Sequence, residues 1–263
     1  MTSMMALPPI MVAPNGARRN KADHQSLPIS IEEIVEAAEA CWKAGAGAIH
    51  AHVRDEAGGH TLDAGLYGEL ITALASRVPQ MAIQISTEAV GIYSPSEQMQ
   101  LVRTLRPRAI SAAIRELVPD AAGEAEAARF YGWCRDEQIH VQHILYDASD
   151  VSRLGQLMSN GVIPAGQPSV IYVLGRYSTN QESTPGDLGP FLRAAAALPQ
   201  QLDWMVCAFG RNETHCLEAA MRAGGKVRVG FENSLWNADG MLAASNAERV
   251  AEVAGRARSL GLR

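Results

Sequence analysis

Two histidines stand two residues apart in the segment Ala48-Ile49-His50-Ala51-His52-Val53-Arg54-Asp55. In a β-strand, side chains at i and i+2 leave from the same face, so His50 and His52 would project together. Two imidazole nitrogens so placed suit one metal ion at about 2.1 Å from each. The pair also fits two interior polar residues satisfied by hydrogen bonds. A third donor lies far along the chain, in Val227-Arg228-Val229-Gly230-Phe231-Glu232-Asn233-Ser234. There Arg228 and Glu232 share strand parity, with Glu232 at the end of the run. Two histidines and a carboxylate leave a coordination position open, as a catalytic rather than a structural metal requires. This donor set tolerates zinc, iron, manganese or cobalt. Glu232 equally fits a helix-capping carboxylate, and Arg228 a structural ion pair. In Gln84-Ile85-Ser86-Thr87-Glu88 the hydroxyls of Ser86 and Thr87 could orient a substrate carboxylate or enolate oxygen. An ordinary Ser/Thr turn has the same composition, and Ser111 carries the same ambiguity.

These residues need elements that bring them together. Short β-branched apolar runs alternate with helically periodic stretches at a repeat of roughly 25 to 35 residues, the mark of successive βα units. The expected strands are Ile10–Ala13, Ala48–Val53, Met81–Ser86, Ala109–Ile114, His140–Tyr146, Ser169–Leu174, Asp203–Cys207 and Lys226–Phe231. Eight such units predict an α/β fold, a (β/α)8 TIM barrel, whose strand ends point into a shared mouth. An open doubly wound sheet is the alternative. In a closed barrel strands one, two and eight are neighbours, which lets Glu232 approach His50 and His52. Helix starts support the pattern. Ser30-Ile31-Glu32-Glu33 has the form of a capping box for a helix through Ala44, ended by Gly45. Ser94-Pro95-Ser96-Glu97, Thr184-Pro185-Gly186-Asp187 and Ser245-Asn246-Ala247-Glu248 look alike. Asn15–Pro28, Arg54–Thr61 and Gly175–Pro185 exceed the usual βα loop, so one face is expected to carry function.

At 263 residues the chain fits one barrel domain, 1–263. Its net charge of -5 supplies no basic field, so neither nucleic acid nor anionic lipid is an expected partner. The four cysteines, Cys41, Cys134, Cys207 and Cys216, form no CxxC pair, which suits a reducing compartment and hence the cytoplasm. Met1–Pro14 is short and broken by prolines, so no signal peptide is expected, and no apolar run is long enough for a membrane span.

The chain resembles the β-keto acid cleavage enzymes, typified by 3-keto-5-aminohexanoate cleavage enzyme. The resemblance runs over nearly the whole length. It is carried by Ala13-Pro14-Asn15-Gly16-Ala17, Ile31-Glu32-Glu33-Ile34, Ala44-Gly45-Ala46-Gly47-Ala48 and His50-Ala51-His52-Val53-Arg54-Asp55. Further on come Ile85-Ser86-Thr87, Leu105-Arg106-Pro107, Gly224-Gly225-Lys226-Val227-Arg228-Val229-Gly230 and Ser245-Asn246-Ala247. It implies a zinc-dependent (Zn2+) TIM-barrel acyltransferase that takes a β-keto acid and acetyl-CoA and gives acetoacetate and a new acyl-CoA. The implied chemistry is an enolate at C2 that attacks the acetyl thioester. The released CoA thiolate then cleaves the adduct. The resemblance gives His50, His52 and Glu232 to the metal, Arg228 to developing negative charge and Ser86 to a substrate oxygen. Ser111 takes the place of a family threonine that contacts substrate.

Two positions depart from that pattern. An aspartate that follows the metal glutamate in the aminohexanoate enzyme is Asn233 here. An amide cannot take up a proton as a carboxylate does, so Asn233 would orient Ser86 or Arg228, leaving Glu88, Asp55 or a metal-bound water as base. The glutamate that holds the substrate ammonium aligns with Arg18, which implies a neutral or anionic substrate. For CoA, Arg19, Arg176 and Arg211 are the candidate cations, with Arg18 and Lys21 beside them. His24 in the first loop is a candidate cover for substrate, His143 a core residue, and His60 has no assigned role. Barrels of this kind often associate, so a homo-oligomer is expected. The same ligands would also serve a metal-dependent aldolase-type lyase without CoA, or a non-catalytic metal- or ligand-binding member of the family.

Overall fold

In the computed structural model, which describes residues 6–262, eight parallel strands close into a barrel. They are β1 (Ile10–Val12), β2 (Ala48–Ala51), β3 (Ala82–Ser86) and β4 (Ala109–Ala113), then β5 (His140–Leu145), β6 (Ser169–Leu174), β7 (Asp203–Ala208) and β8 (Lys226–Val229). All eight expected strands are present, with ends that differ by a few residues. Each pairs with its sequence neighbour, and β1 closes the ring between β8 and β2. Helices alternate with the strands around the outside. The first five residues of the Met1–Pro14 stretch lie outside the described residues.

The sequence signals act where they stand. Ser30 and Glu33 form a reciprocal capping box on helix Ile31–Ala44, and Gly45 ends it in the left-handed region. Ser94 and Glu97 do the same for Pro95–Leu105, and the Ser245 hydroxyl accepts from Glu248 N on Asn246–Ser259. The last helix packs beside the first and completes the outer layer.

Alternation along each strand separates two cores. One apolar set, including Ile49, Ile85, Ile110, Val170 and Val206, packs against the helices. The other faces inward and includes Met11, Ala48, Ile171, Met205 and Cys207. Register partners in a parallel ladder share a face, so His50 lies beside Gln84, Ser86 beside Ser111 and Ser111 beside Gln142, all toward the barrel axis. The interior is therefore partly polar, with His50, Ser86 and Arg228 toward the mouth and the Lys226–Asp203 pair beside His140 at the strand starts.

The stretch Arg54–Thr61, expected as a loop, is a small antiparallel hairpin that pairs Val53–Arg54 with His60–Thr61. The Asp55 carboxylate accepts from Ala57 N and Gly59 N and ties its turn. Among the described residues no helix is long and apolar enough to cross a membrane.

Candidate metal centre and active site

His50 leaves β2 toward the barrel axis, and His52 lies one residue past the strand end. Both are buried, and their Nε2 atoms stand 3.1 Å apart. Glu232 arrives by a different route from the one strand parity suggests. Strand β8 stops at Val229, and the chain turns at Gly230, whose φ is +143°. A Cβ there would come 2.5 Å from Ala13 O, so the turn accepts only glycine. Past it Glu232 N donates to Ala13 O, and Glu232 Oε2 lies 3.7 Å from each histidine Nε2. The three donor atoms lie within 4.8 Å of one another.

These residues fit a metal ion. Donors about 2.1 Å from one tetrahedral ion sit roughly 3.4 Å apart, so the observed spacings need adjustments of a few tenths of an ångström. Glu232 Oε2 is buried and has no hydrogen-bond partner. Burial, followed by the Arg228 charge, lowers the pKa of His50, and burial likewise leads the lowering at His52. Both imidazoles are thus held neutral, the form that donates to a metal. Burial also pushes the Glu232 carboxyl up, against the opposing pull of Arg228.

Arg228 lies along the same wall. Its NH2 donates to Glu232 Oε1 at 3.0 Å, and the pair is nearly closed to solvent, at 4% and 13% side-chain exposure. Its Nε and NH1 are buried without partners. The cavity above these residues is lined on one side by His50, His52, Ser86, Glu88, Arg228 and Glu232. Ile144, Tyr146, Val173 and Phe209 line the other. Its edge carries the loop Asn15–Arg19 with Arg176 and Gln181. Asn15 anchors that loop by donating to His52 O, and the Arg54 guanidinium holds Gly16 O and Arg19 O. Gly16 has φ +64°, and a Cβ there would fall 2.5 Å from Glu232 Cγ, so the loop closes over the Glu232 side chain only with glycine.

The other residues singled out by sequence divide between cavity and surroundings. Ser86 Oγ accepts from Glu88 N at 3.1 Å, which leaves its hydroxyl hydrogen free to donate. Arg18 NH2 stands 3.6 Å from Glu88 Oε1 on the rim. Thr87 donates to Ser111 O across the strands, and Ser111 Oγ is buried without a partner; neither residue lines the cavity. The Asn233 side chain is likewise outside it, with neither Ser86 nor Arg228 in hydrogen-bond reach. It sits in the turn after Gly230, where strand alternation no longer applies. Asp55 is engaged in the hairpin turn. Arg19 lines the cavity but donates to Phe231 O and Asn233 O. Arg211 stacks on the Trp236 ring at 3.7 Å, and Lys21 pairs with Glu33. His24 packs on Phe231 and reaches Ala243 O rather than the cavity.

Sequence reasoning passed over Gln84, Gln142, Tyr146 and the apolar wall, and left His60 without a role. Gln84 Oε1 lies 2.8 Å from His50 Nδ1, and His60 Nδ1 lies 3.4 Å from His52 Nδ1. Only the inward parity of Gln84 was available as a signal.

A 3-keto-5-aminohexanoate cleavage enzyme of Fusobacterium nucleatum is 30% identical over 94% of this chain and 89% of its own length. A 3,5-dioxohexanoate:acetyl-CoA acetone transferase of Paraburkholderia graminis is 26% identical over 93% of this chain and 87% of its own. A 3-oxoadipate:acetyl-CoA acetyltransferase of Cupriavidus necator is 23% identical over 96% and 89%. Among solved structures, apo ObcA superposes with a TM-score of 0.69 at 16% identity, over 90% of this chain. The chain spans 63% of the length of that structure, and the likeness is one of fold. The model of the family described as beta-keto acid cleavage enzyme matches residues 9–263, so this chain, with its closed barrel and converging His50, His52 and Glu232, belongs to that family.

Proposed function

We propose that residues 1–263 act as one zinc-dependent catalytic domain that condenses a β-keto acid with acetyl-CoA and releases acetoacetate and a new acyl-CoA. The substrate would be neutral or anionic at its distal end. The observation that carries this reading is the convergence of His50, His52 and Glu232 beside the free donors of Arg228, under a cavity with one polar and one apolar wall. It is supported by the acetyl-CoA-dependent names of relatives that cover nearly the same length. Zinc held by the three donors would supply Lewis acidity toward the oxygens of a β-keto acid.

The chain's own groups then have distinct tasks. Arg228 keeps its charge through Glu232 and offers Nε and NH1 to an oxygen that gains negative charge. The Ser86 hydroxyl donates to a substrate oxygen. Glu88 lines the cavity and is the carboxylate placed to take the C2 proton, since Asp55 is tied into a turn and Asn233 lies outside. Ile144, Val173 and Phe209 exclude water from the reacting atoms. Arg18, with 57% of its side chain exposed, can leave Glu88 for a substrate carboxylate. Arg176 lines the cavity edge, with its guanidinium over the Phe209 and Tyr177 rings, and is the cation proposed for CoA. Arg19 holds backbone oxygens, and Arg211 stacks on Trp236 away from the cavity lining.

Incubation of zinc-loaded protein with acetyl-CoA and β-keto acids of differing distal charge, followed by mass spectrometry, tests this. Acetoacetate and a new acyl-CoA should appear together. Metal-bound protein that forms neither with any substrate would overturn the transferase reading.

A further inference from the structure

We infer that His60, on the small hairpin, and the pair Gln84–Gln142, inside the barrel, are positioning residues that fix both ligand histidines as Nδ1–H tautomers. Each Nε2 lone pair is thereby aimed at the centre before any metal arrives. The inference rests on the metal reading above but does not depend on which reaction follows.

The proton directions follow from the ends of two hydrogen-bond chains. On the His52 side, His60 Nε2 lies 2.9 Å from the backbone oxygen of Glu88. A carbonyl oxygen can only accept, so His60 carries its proton on Nε2. His60 is buried, and with its one ring proton on Nε2 its Nδ1 is a lone pair. The 3.4 Å contact between His60 Nδ1 and His52 Nδ1 then requires His52 to donate. His52 Nε2 is left unprotonated.

On the His50 side the chain ends in a thioether. Gln142 Nε2 reaches Met205 Sδ at 3.8 Å, and a methionine sulfur has no proton to give. The Gln142 oxygen therefore accepts from Gln84 Nε2 at 3.2 Å. That turns Gln84 Oε1 toward His50 Nδ1 at 2.8 Å, so His50 donates from Nδ1. Its Nε2 is unprotonated as well. Two nitrogen lone pairs 3.1 Å apart and a partnerless carboxylate oxygen 3.7 Å from each then face one another with no ring proton between them. Three mutually repelling donors in a buried site are relieved by a cation, and the two relays prevent relief by ring flipping or tautomer exchange.

The experiment uses the whole 263-residue chain. Zinc affinity is measured by competition with a chromophoric chelator for wild type, His60→Ala, His60→Gln and Gln84→Leu, with circular dichroism to confirm folding. His60→Ala and Gln84→Leu should each bind zinc about 10- to 100-fold more weakly. His60→Gln should recover much of the loss, because its amide can accept from His52 and donate to Glu88 O. Long-range proton–nitrogen spectra of metal-stripped wild type should show His50 and His52 protonated on Nδ1, a readout that stands even if a variant fails to fold. A wild type that binds zinc while His60→Ala binds it equally well, or Nε2–H tautomers in the spectra, would overturn this inference alone. A wild type that binds no divalent metal would overturn the metal reading and this inference with it.

Discussion

The two oxygens of Glu232 serve different partners: Oε1 accepts from Arg228 NH2 at 3.0 Å, and Oε2 stays unpartnered 3.7 Å from both His50 and His52 Nε2. One carboxylate thus joins the candidate metal site to Arg228, the cation proposed to stabilise developing negative charge. Its position depends on Gly230 behind it and Gly16 above it.

Arg228→Lys tests the directed donors. Lysine keeps the charge but offers no planar fork, so it can hold Glu232 or reach a substrate oxygen, but not both. With zinc content unchanged, kcat should fall about 100-fold or more. Steady-state kinetics alongside metal analysis decide it; a kcat within a few-fold of wild type removes Arg228 from the chemistry.

Gly16→Ala should damage the metal site without touching a ligand. The new methyl would meet Glu232 Cγ at 2.5 Å, and the left-handed backbone adds strain of about 1–2 kcal/mol. Lower zinc occupancy together with a lower thermal midpoint is the expected result. Full occupancy would show that the first loop yields more easily than its Arg54 and Asn15 anchors imply.

Arg18→Glu should reverse charge preference at the distal end of the substrate. The site is on the rim and partly exposed, so the effect is modest, on the order of tenfold in the ratio of kcat/KM for a dicarboxylic over an amino-substituted β-keto acid. An unchanged ratio would place the specificity elsewhere in the cavity.

The fold should weaken in acid through a group remote from the chemistry. His143 faces Tyr131 edge-on at 5.3 Å, and burial, with the nearby His140, lowers its pKa to about 4. Unfolded, it titrates near 6.5, so between those values the unfolded chain binds the extra proton. Stability from this residue is present above about 6.5 and lost as pH falls toward 4, a contribution of roughly 3 kcal/mol at most. Denaturant unfolding at pH 7, 5.5 and 4 should show a steeper decline for wild type than for His143→Gln. Parallel declines would assign the acid sensitivity to other groups.

The parts of the molecule legible in the sequence are those that depend on neighbours along the chain. Capping boxes at Ser30 and Ser94 form from residues three apart, and the two-residue strand period brings His50 and His52 to one face. The alternation of strand and helix patterns, with the right-handed crossover rule, leaves few ways to close eight βα units other than a barrel. The approach of Glu232 to the two histidines was reachable too, although it comes from the turn at Gly230 and not from strand parity.

What only the tertiary structure decided comes from contacts between strands distant in sequence. The register that sets Gln84 beside His50, and the closure that lets Gln84 meet Gln142, exist only once eight strands share one ring. His60 gains its place because the hairpin folds back so that its ring reaches both His52 and the backbone of Glu88. The same holds for what lies outside the cavity lining: Asn233 lies past the point where β8 ends, and Ser111, the register partner of Ser86, does not reach the cavity. Residue type and local period tell which side chains can act, but a hydrogen-bond partner is a matter of a few tenths of an ångström. Distances of that size are set by how the whole barrel packs, and no short stretch of sequence carries them.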